Sequence, residues 1–394
     1  MVITAHNYNM NNFYCAAPWR GLHINVRGDV KTCCAGNPNM LGNLNSQNIE
    51  EILNGDKLKE IRTSIQKGEH HKYCSGCIDR ESQGGDSERS WHNNANKNFD
   101  FTQAGLEYEY PSIIDVRWNN TCNLSCNYCS PFDSSKWAGL KKVSISSNNR
   151  HYYIDVCNFI EKHYDKIKEV ALVGGEPLLL PENEKLLDVI PMDCSITLIT
   201  NLSNPLEDNQ IFKKLSKRQK VGWSISFDNI GDNFEYVRYG AKWELMLHNL
   251  DVVQGLIKNN GHWGGIHAVY NLYNATRLCE FKKFANMRGL SIRWQNLGTP
   301  SELNPRNYGK EISQLAAKEI QRLYDNFEVD SQEQDLFDSA FATYIKKDQT
   351  DTEKLNELKT FVDEIENKYH ADKAGEFARL WPEFGELLWP QNQH

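Results

Sequence analysis

The 394-residue chain has no apolar run approaching membrane-spanning length, so no spanning helix is expected. Nothing at its amino terminus reads as a secretory signal, and a reducing, cytoplasmic setting is therefore expected for its eleven cysteines. It has no basic excess either. With 52 acidic against 44 basic residues the net charge is −8, which argues against broad electrostatic binding to nucleic acid. No internal repeat is evident. Apolar residues make up 40%, enough for a sizeable core, and the length allows one large domain with one or two smaller ones.

What the chain does have is cysteine at close spacing. Cys122, Cys126 and Cys129 follow one another at x3 and x2. Three thiolates this close suit three irons of a four-iron cluster. A fourth local cysteine is lacking, which leaves one iron with an open position, and open positions are where metal sites do chemistry. A structural zinc site would want a fourth Cys or His nearby. Disulfides would want an oxidising compartment.

The segment Glu169–Val173 is short, apolar and β-branched, and runs into Gly174-Gly175-Glu176-Pro177. This reads as a buried parallel strand ending in a glycine turn. Glycines let a ligand come close to the backbone, and free carbonyls with a carboxylate suit an amino group. An ordinary strand-to-helix turn would look the same; the turn gains meaning by following the cysteine triplet.

Together these residues resemble the radical S-adenosylmethionine (SAM) enzymes. The hallmark is Cys-x3-Cys-x2-Cys with an aromatic residue before the last cysteine, here Tyr128. The resemblance implies that the open iron chelates the amino and carboxylate groups of SAM. One-electron cleavage then yields a 5′-deoxyadenosyl radical, which takes hydrogen from a substrate. It also implies that Gly174, Gly175, Glu176 and Pro177 form the turn facing the SAM amino group. Ser226 and Arg238 would hold its carboxylate, and Asn201 would lie nearby. For Arg238 a surface ion pair is the plain alternative.

A second cysteine pattern precedes the first. Cys15, a glycine at Gly28, Cys33, then Cys74-x2-Cys77 suit iron–sulfur or zinc equally by spacing. Leu22–Val26 and Val30–Cys33 alternate around Gly28 as a hairpin should. Ser46 is expected to cap the helix that follows. Ile49, Ile52, Leu53, Leu58, Ile61 and Ile65 give that region an apolar face. The order resembles the Twitch module, the shortened relative of the SPASM domain, which binds an auxiliary [4Fe-4S] cluster with four cysteines. In most relatives it follows the barrel, whereas here it precedes it. Cys33 completes the spacing, and the adjacent Cys34 is read as a small buried side chain, as are Cys157, Cys194 and Cys279.

The expected fold is α/β: a partial (β/α)6 TIM-like barrel with a small N-terminal α+β cluster module and a C-terminal helical extension. The boundaries are 1–80 for the module, 81–110 for a connecting segment, 111–300 for the barrel and 301–394 for the extension. Strands are expected near Ile113, Val170, Ile196, Gly222, Ile266 and Ile292. In the connecting segment Trp91, Phe99 and Phe101 are apolar enough to pack. Helices are expected over Glu311–Phe327, Gln334–Lys346 and Asp351–Lys368. The basic run Lys213–Lys220 reads as a solvated helix end, or alternatively as a docking patch for an acidic flavodoxin- or ferredoxin-type electron donor.

The expected function is oxidoreductase-type radical chemistry on a peptide or protein side chain, oxidative modification or cross-linking, with the auxiliary cluster handling electrons. Dehydrogenation or rearrangement of a small molecule or carbohydrate is the alternative, and a non-catalytic electron carrier a third. Asp115, Asp228 and His267 are candidate proton acceptors, with no ground for choosing among them.

Overall fold

The computed structural model describes residues 13–36, 41–82, 87–100, 103–106, 110–145 and 152–390. Six parallel strands carry its centre: β4 (Ile113–Val116), β5 (Glu169–Leu172), β6 (Ser195–Thr200), β7 (Val221–Ser226), β8 (Trp263–Tyr270) and β9 (Ile292–Asn296). They lie side by side in chain order. Five of the starts fall within one residue of the sequence expectation, and β8 begins three residues before the expected Ile266. The strands alternate in burial because one face packs under helices and the other lines the barrel interior. Along β8, Ile266, Ala268 and Tyr270 are buried while His267 and Val269 are half-buried; β6 alternates likewise. Helices such as Tyr152–Lys162, Pro181–Val189, Trp243–Asn259 and Leu278–Met287 lie between successive strands. This is the partial (β/α)6 barrel.

The amino-terminal region extends the same sheet. β1 (Gly21–Ile24) runs antiparallel to β2 (Asp29–Lys31), and β2 antiparallel to β3 (Gly42–Asn43). Gly28 turns the hairpin at φ +78°, a conformation that favours glycine. β1 then pairs in parallel with β4, Leu22 opposite Ile114 and His23 opposite Asp115. The free edge of the barrel is thereby covered by the cysteine-bearing module. The expected Ser46 cap is corrected: Asn48 accepts from the Glu51 N–H and Glu51 reaches back to the Asn48 N–H, while the Ser46 hydroxyl bonds Asn43 O. Asn at the N-cap with Glu three residues on satisfies two otherwise unpaired donors at once. Leu58, Ile61 and Ile65 of the helix Asp56–Gln66 are buried as expected.

The connecting segment holds a helix, Glu88–Ala95, capped by Ser87. Phe99 packs 5.4 Å from the Trp19 ring and Trp91 is half-buried; Phe101 lies outside the described residues. The carboxyl-terminal helices are Lys310–Asn326, Ser331–Tyr344, Thr352–Glu364, continued by a wider turn through Tyr369, and the short Glu376–Leu380 and Pro382–Leu388. Phe337 sets the second of these against the outer face of β8 and β9, 5.5 Å from both the Tyr270 and Trp294 rings. Trp381 and Phe384 are fully buried. The Trp381 indole donates to Tyr273 O at 2.8 Å and packs on Tyr236, so the aromatic end anchors the tail to the loops that follow β7 and β8. No described helix is long and apolar enough to cross a membrane.

Candidate active site

The loop after β4 carries Cys122, Cys126 and Cys129, at the carboxyl edge where parallel barrels place their sites. It is stapled from several sides. Ser125 N donates to Tyr239 O and Asn127 N to Val237 O, at 3.0 and 2.8 Å. Cys122 N donates to Ser135 Oγ, and the Trp137 indole donates to Cys126 O at 2.8 Å. The glycine turn after β5 locks onto the same loop. Glu176 N donates to Thr121 O at 2.8 Å, and a Cβ at Gly175 would stand 2.3 Å from that carbonyl. Gly174 holds φ +134°. The glycines thus serve, at least, to seat the turn against the cysteine loop.

Glu176 is fully buried. Its Oε1 accepts from Thr200 Oγ1 at 2.7 Å and Leu178 N at 3.1 Å, and its Oε2 from Asn201 N at 2.7 Å. Burial pushes its carboxyl up to about 7 against the pull of those donors. Oε2 accepts one hydrogen bond among the described residues and retains acceptor capacity. Pro177, buried, opens the short turn that follows. Asn201 Nδ2 reaches Cys122 Sγ at 3.8 Å and Asn123 Oδ1 at 2.9 Å. On the other side Arg238 is buried, donates from Nη2 to Asp228 Oδ2 at 3.0 Å, and lies 5.6 Å from the Tyr128 ring. The Tyr128 hydroxyl donates to the same carboxylate oxygen and Val269 N donates to its other one. Arg238 Nε is buried with no hydrogen-bond partner among the described residues. Arg238 is therefore not a surface ion pair. Ser226 is half-buried at the end of β7.

The second thiol group gathers from three places. Cys15 precedes the helix Ala17–Arg20, Cys33 follows β2, and Cys74 and Cys77 bracket the start of the helix Ser75–Ser82. Burial, then the proximity of the Cys33, Cys77 and Cys74 thiols, raises Cys15. Cys33 and Cys74 are pushed up to about 12, by burial first and then by Cys77. Cys34 is set apart: its charged neighbours are Glu88, Arg117 and Asp115. It is half-buried rather than buried as expected, and it lies on the turn that follows β2, where strand alternation no longer applies.

These groups fit the clusters in their chemistry. Burial pushes Cys122 up to about 12, aided by Cys126, and raises Cys126 and Cys129 as well. Buried thiolates that repel one another need a cationic partner, and iron supplies it. Among the described residues no three His, Cys, Asp or Glu side chains are drawn together as a single metal ion would require. A four-iron cluster asks less, because its thiolates sit one to an iron.

Two residues prove central that sequence spacing did not single out. Thr200 fixes Glu176, and it lies beside Asn201 at a strand end, a signal that position alone carries. His23 on β1 meets Asp115 on β4, Nδ1 to Oδ2 at 2.9 Å, and Arg117 joins from 3.3 Å. Burial acts upward on Asp115, but Arg117 and His23 outweigh it and hold the carboxyl well below the usual range. The basic run is neutralised locally. Lys214 pairs with Asp188 at 2.8 Å, Lys213 lies 3.7 Å from Asp208, and Arg218 donates to the buried carbonyls of Leu187 and Ile190.

Residues 116–275 match the profile of the radical SAM superfamily, and residues 15–78 match SPASM, an iron–sulfur cluster-binding domain; together they span more than half of the chain. The chain carries a radical SAM domain and, before it, a SPASM-type iron–sulfur domain. Its cofactors are accordingly SAM with a [4Fe-4S] cluster, and an auxiliary [4Fe-4S] cluster. This radical SAM protein is similar to 7-carboxy-7-deazaguanine synthase of Clostridium acetobutylicum, 34% identical over 94 residues that are 23% of this chain and 38% of that one. Among solved structures it is similar to Streptococcus suis SuiB bound to SAM, with 14% identity, TM-score 0.40, and 55% and 49% of the two chains covered. It is similar also to anSMEcpe with bound SAM, with 20% identity, TM-score 0.39, and 54% and 59% covered. The chain therefore spans less than two thirds of the length of each of these relatives.

Proposed function

We propose that the protein is a radical SAM enzyme that abstracts hydrogen from a peptide or protein side chain and oxidises or cross-links it. Bound SAM and its cluster supply, on one-electron reduction, the 5′-deoxyadenosyl radical. The observation that carries the reading is the convergence on one loop: one buried and two half-buried thiols, Asn201 on Cys122, and the buried Arg238 beside Cys126. Cys122, Cys126 and Cys129 would hold the barrel cluster. Gly174, Gly175, Glu176 and Pro177 would form the turn that receives the SAM amino group, with Asn201 beside it. Arg238 and Ser226 would take its carboxylate, and Tyr128 fixes Arg238 through Asp228. Cys15, Cys33, Cys74 and Cys77 would hold the auxiliary cluster. Full thiolate ligation leaves that cluster no vacant iron, which suits electron transfer. A flavodoxin- or ferredoxin-type protein would supply the electrons.

The SPASM match supports the peptide reading, since the related Twitch and SPASM proteins mostly modify peptides. The stretch shared with 7-carboxy-7-deazaguanine synthase favours a second reading, rearrangement or dehydrogenation of a small molecule. Anaerobic reduction with dithionite in the presence of SAM tests the common part. Slow release of 5′-deoxyadenosine is expected from the wild type and none from the Cys122, Cys126, Cys129→Ala triple variant. Equal release from both would refute the assignment.

A further inference from the structure

The barrel interior beyond the SAM residues is built for a negative charge. Ser226 on β7 stands in register with His267 on β8, and His267 with Arg293 on β9. All three lie on the interior face, because their strand neighbours Ile225, Ile266, Ile292 and Trp294 are buried under helices. Two strand spacings put Arg293 about 10 Å from Ser226, within reach of a group attached to a reacting carbon. Gln295, two residues along β9, lies on the same face. With its carbonyl accepting from Arg80 Nη1 at 3.1 Å and Nη2 at 2.7 Å, its NH2 donates to His267 Nε2 at 3.2 Å. The reverse amide orientation would set donors against donors. The ring proton of neutral His267 then sits on Nδ1.

Arg80 comes from the other end of the molecule, three residues after Cys77 on the helix Ser75–Ser82. It crosses from the cysteine module to the far edge of the barrel. One carbonyl oxygen leaves most of its five donors uncommitted. The nearby carboxylates are engaged elsewhere: Asp228 with Arg238 and Asp115 with Arg117. Neither Arg80 nor Arg293 has an ion-pair partner among the described residues. Arg80 is half-buried and Arg293 exposed.

We infer that Arg80, Arg293, Gln295 and His267 form an anion-binding site that holds a carboxylate or phosphate group of the substrate beside the SAM residues. The inference rests on the radical SAM reading for what happens there, but the binding itself does not. A guanidinium fork matches either oxyanion. A side-chain carboxylate of an acidic peptide and a phosphorylated small molecule share this chemistry.

Isothermal titration of the anaerobically reconstituted full chain with N-acetyl-glutamate, and separately with inorganic phosphate, tests it. The wild type is expected to bind one of the two, and the tighter probe identifies the source. Arg80→Gln and Arg293→Gln should each weaken binding about tenfold, the loss of one charge-assisted contact. Arg80→Lys should recover part of it. The Lys166→Gln, Lys168→Gln pair, in a distant basic cleft beside Arg20 and Lys97, should change nothing. Arg293 is exposed, so its variant is expected to fold, with iron content as the check. Binding of neither probe, unchanged binding in both Arg variants, or equal loss in the Lys pair overturns the site. If SAM leaves the barrel cluster's electron paramagnetic resonance unperturbed while Arg80-dependent binding persists, the radical SAM reading fails and the site stands.

Discussion

Asn201 shows how one side chain tunes a cluster without ligating it. Its amide donates toward Cys122 Sγ at 3.8 Å, and donors to cluster thiolates favour the more reduced, more negative state. Asn201→Ala should lower the midpoint potential of the barrel cluster by on the order of tens of millivolts, with the auxiliary cluster unmoved; potentiometric titration followed by electron paramagnetic resonance reads both. Gly175 acts through what it lacks. A methyl there meets Thr121 O at 2.3 Å, too close for any side chain. Gly175→Ala should cost roughly 1–3 kcal/mol of stability and lower barrel-cluster occupancy, measured by thermal denaturation and iron analysis. A variant with wild-type iron and Tm would contradict the packing role.

At the scale of elements, the carboxyl-terminal extension does more than cover the barrel. His370 Nε2 lies 3.2 Å from Ser125 Oγ, within the cysteine loop, and its ring stacks 3.7 Å from that of Tyr239. The residue is buried, and burial lowers its pKa to about 4. The folded state thus keeps His370 neutral while the unfolded chain takes up a proton near 6.5. Its contribution is full above pH 6.5 and is lost as pH falls from there toward 4. Acidification across that window should cost the wild type on the order of 1–2 kcal/mol more than His370→Asn. Melting curves at pH 7 and pH 4.5 decide it, and parallel losses in the two proteins would count against it. The basic run behaves as a helix end. With Lys214 tied to Asp188 and Arg218 to backbone carbonyls, Lys213→Gln with Lys217→Gln should leave reduction by a protein donor within about twofold of wild type, because exposed, locally neutralised charges steer weakly. Stopped-flow reduction by a flavodoxin measures this, and a salt-dependent slowing would restore the docking patch.

Across the whole molecule, the cysteine module and the barrel share one sheet. Pairing of β1 with β4 over four residues, with Arg80 on β9, joins them at both barrel edges. Calorimetry of the cluster-loaded protein should therefore show one cooperative transition for module and barrel rather than two. Removing residues 1–80 should yield an insoluble barrel, because the exposed β4 edge would offer unpaired backbone groups to other chains. A soluble, cluster-bearing fragment, or two resolved transitions, would show that the two parts fold independently.

Local order carries local information. The triplet Cys122, Cys126, Cys129, the Gly174–Pro177 turn, the hairpin about Gly28 and all six barrel strands were legible in the chain because each is fixed by spacing, periodicity or turn chemistry within a few residues. The Ser46 cap was misplaced by two positions because Ser and Asn compete for the same role and only the backbone angles choose between them. What the chain could not declare were pairings over long separations. His23 against Asp115, Arg80 against Gln295, and β1 on the edge of β4 follow from where the sheet closes, and closure is set by the packing of all nine strands at once. The sequence by itself determined which chemistry the protein carries; only the tertiary structure decided which charges were left over, at the barrel mouth, to meet a substrate.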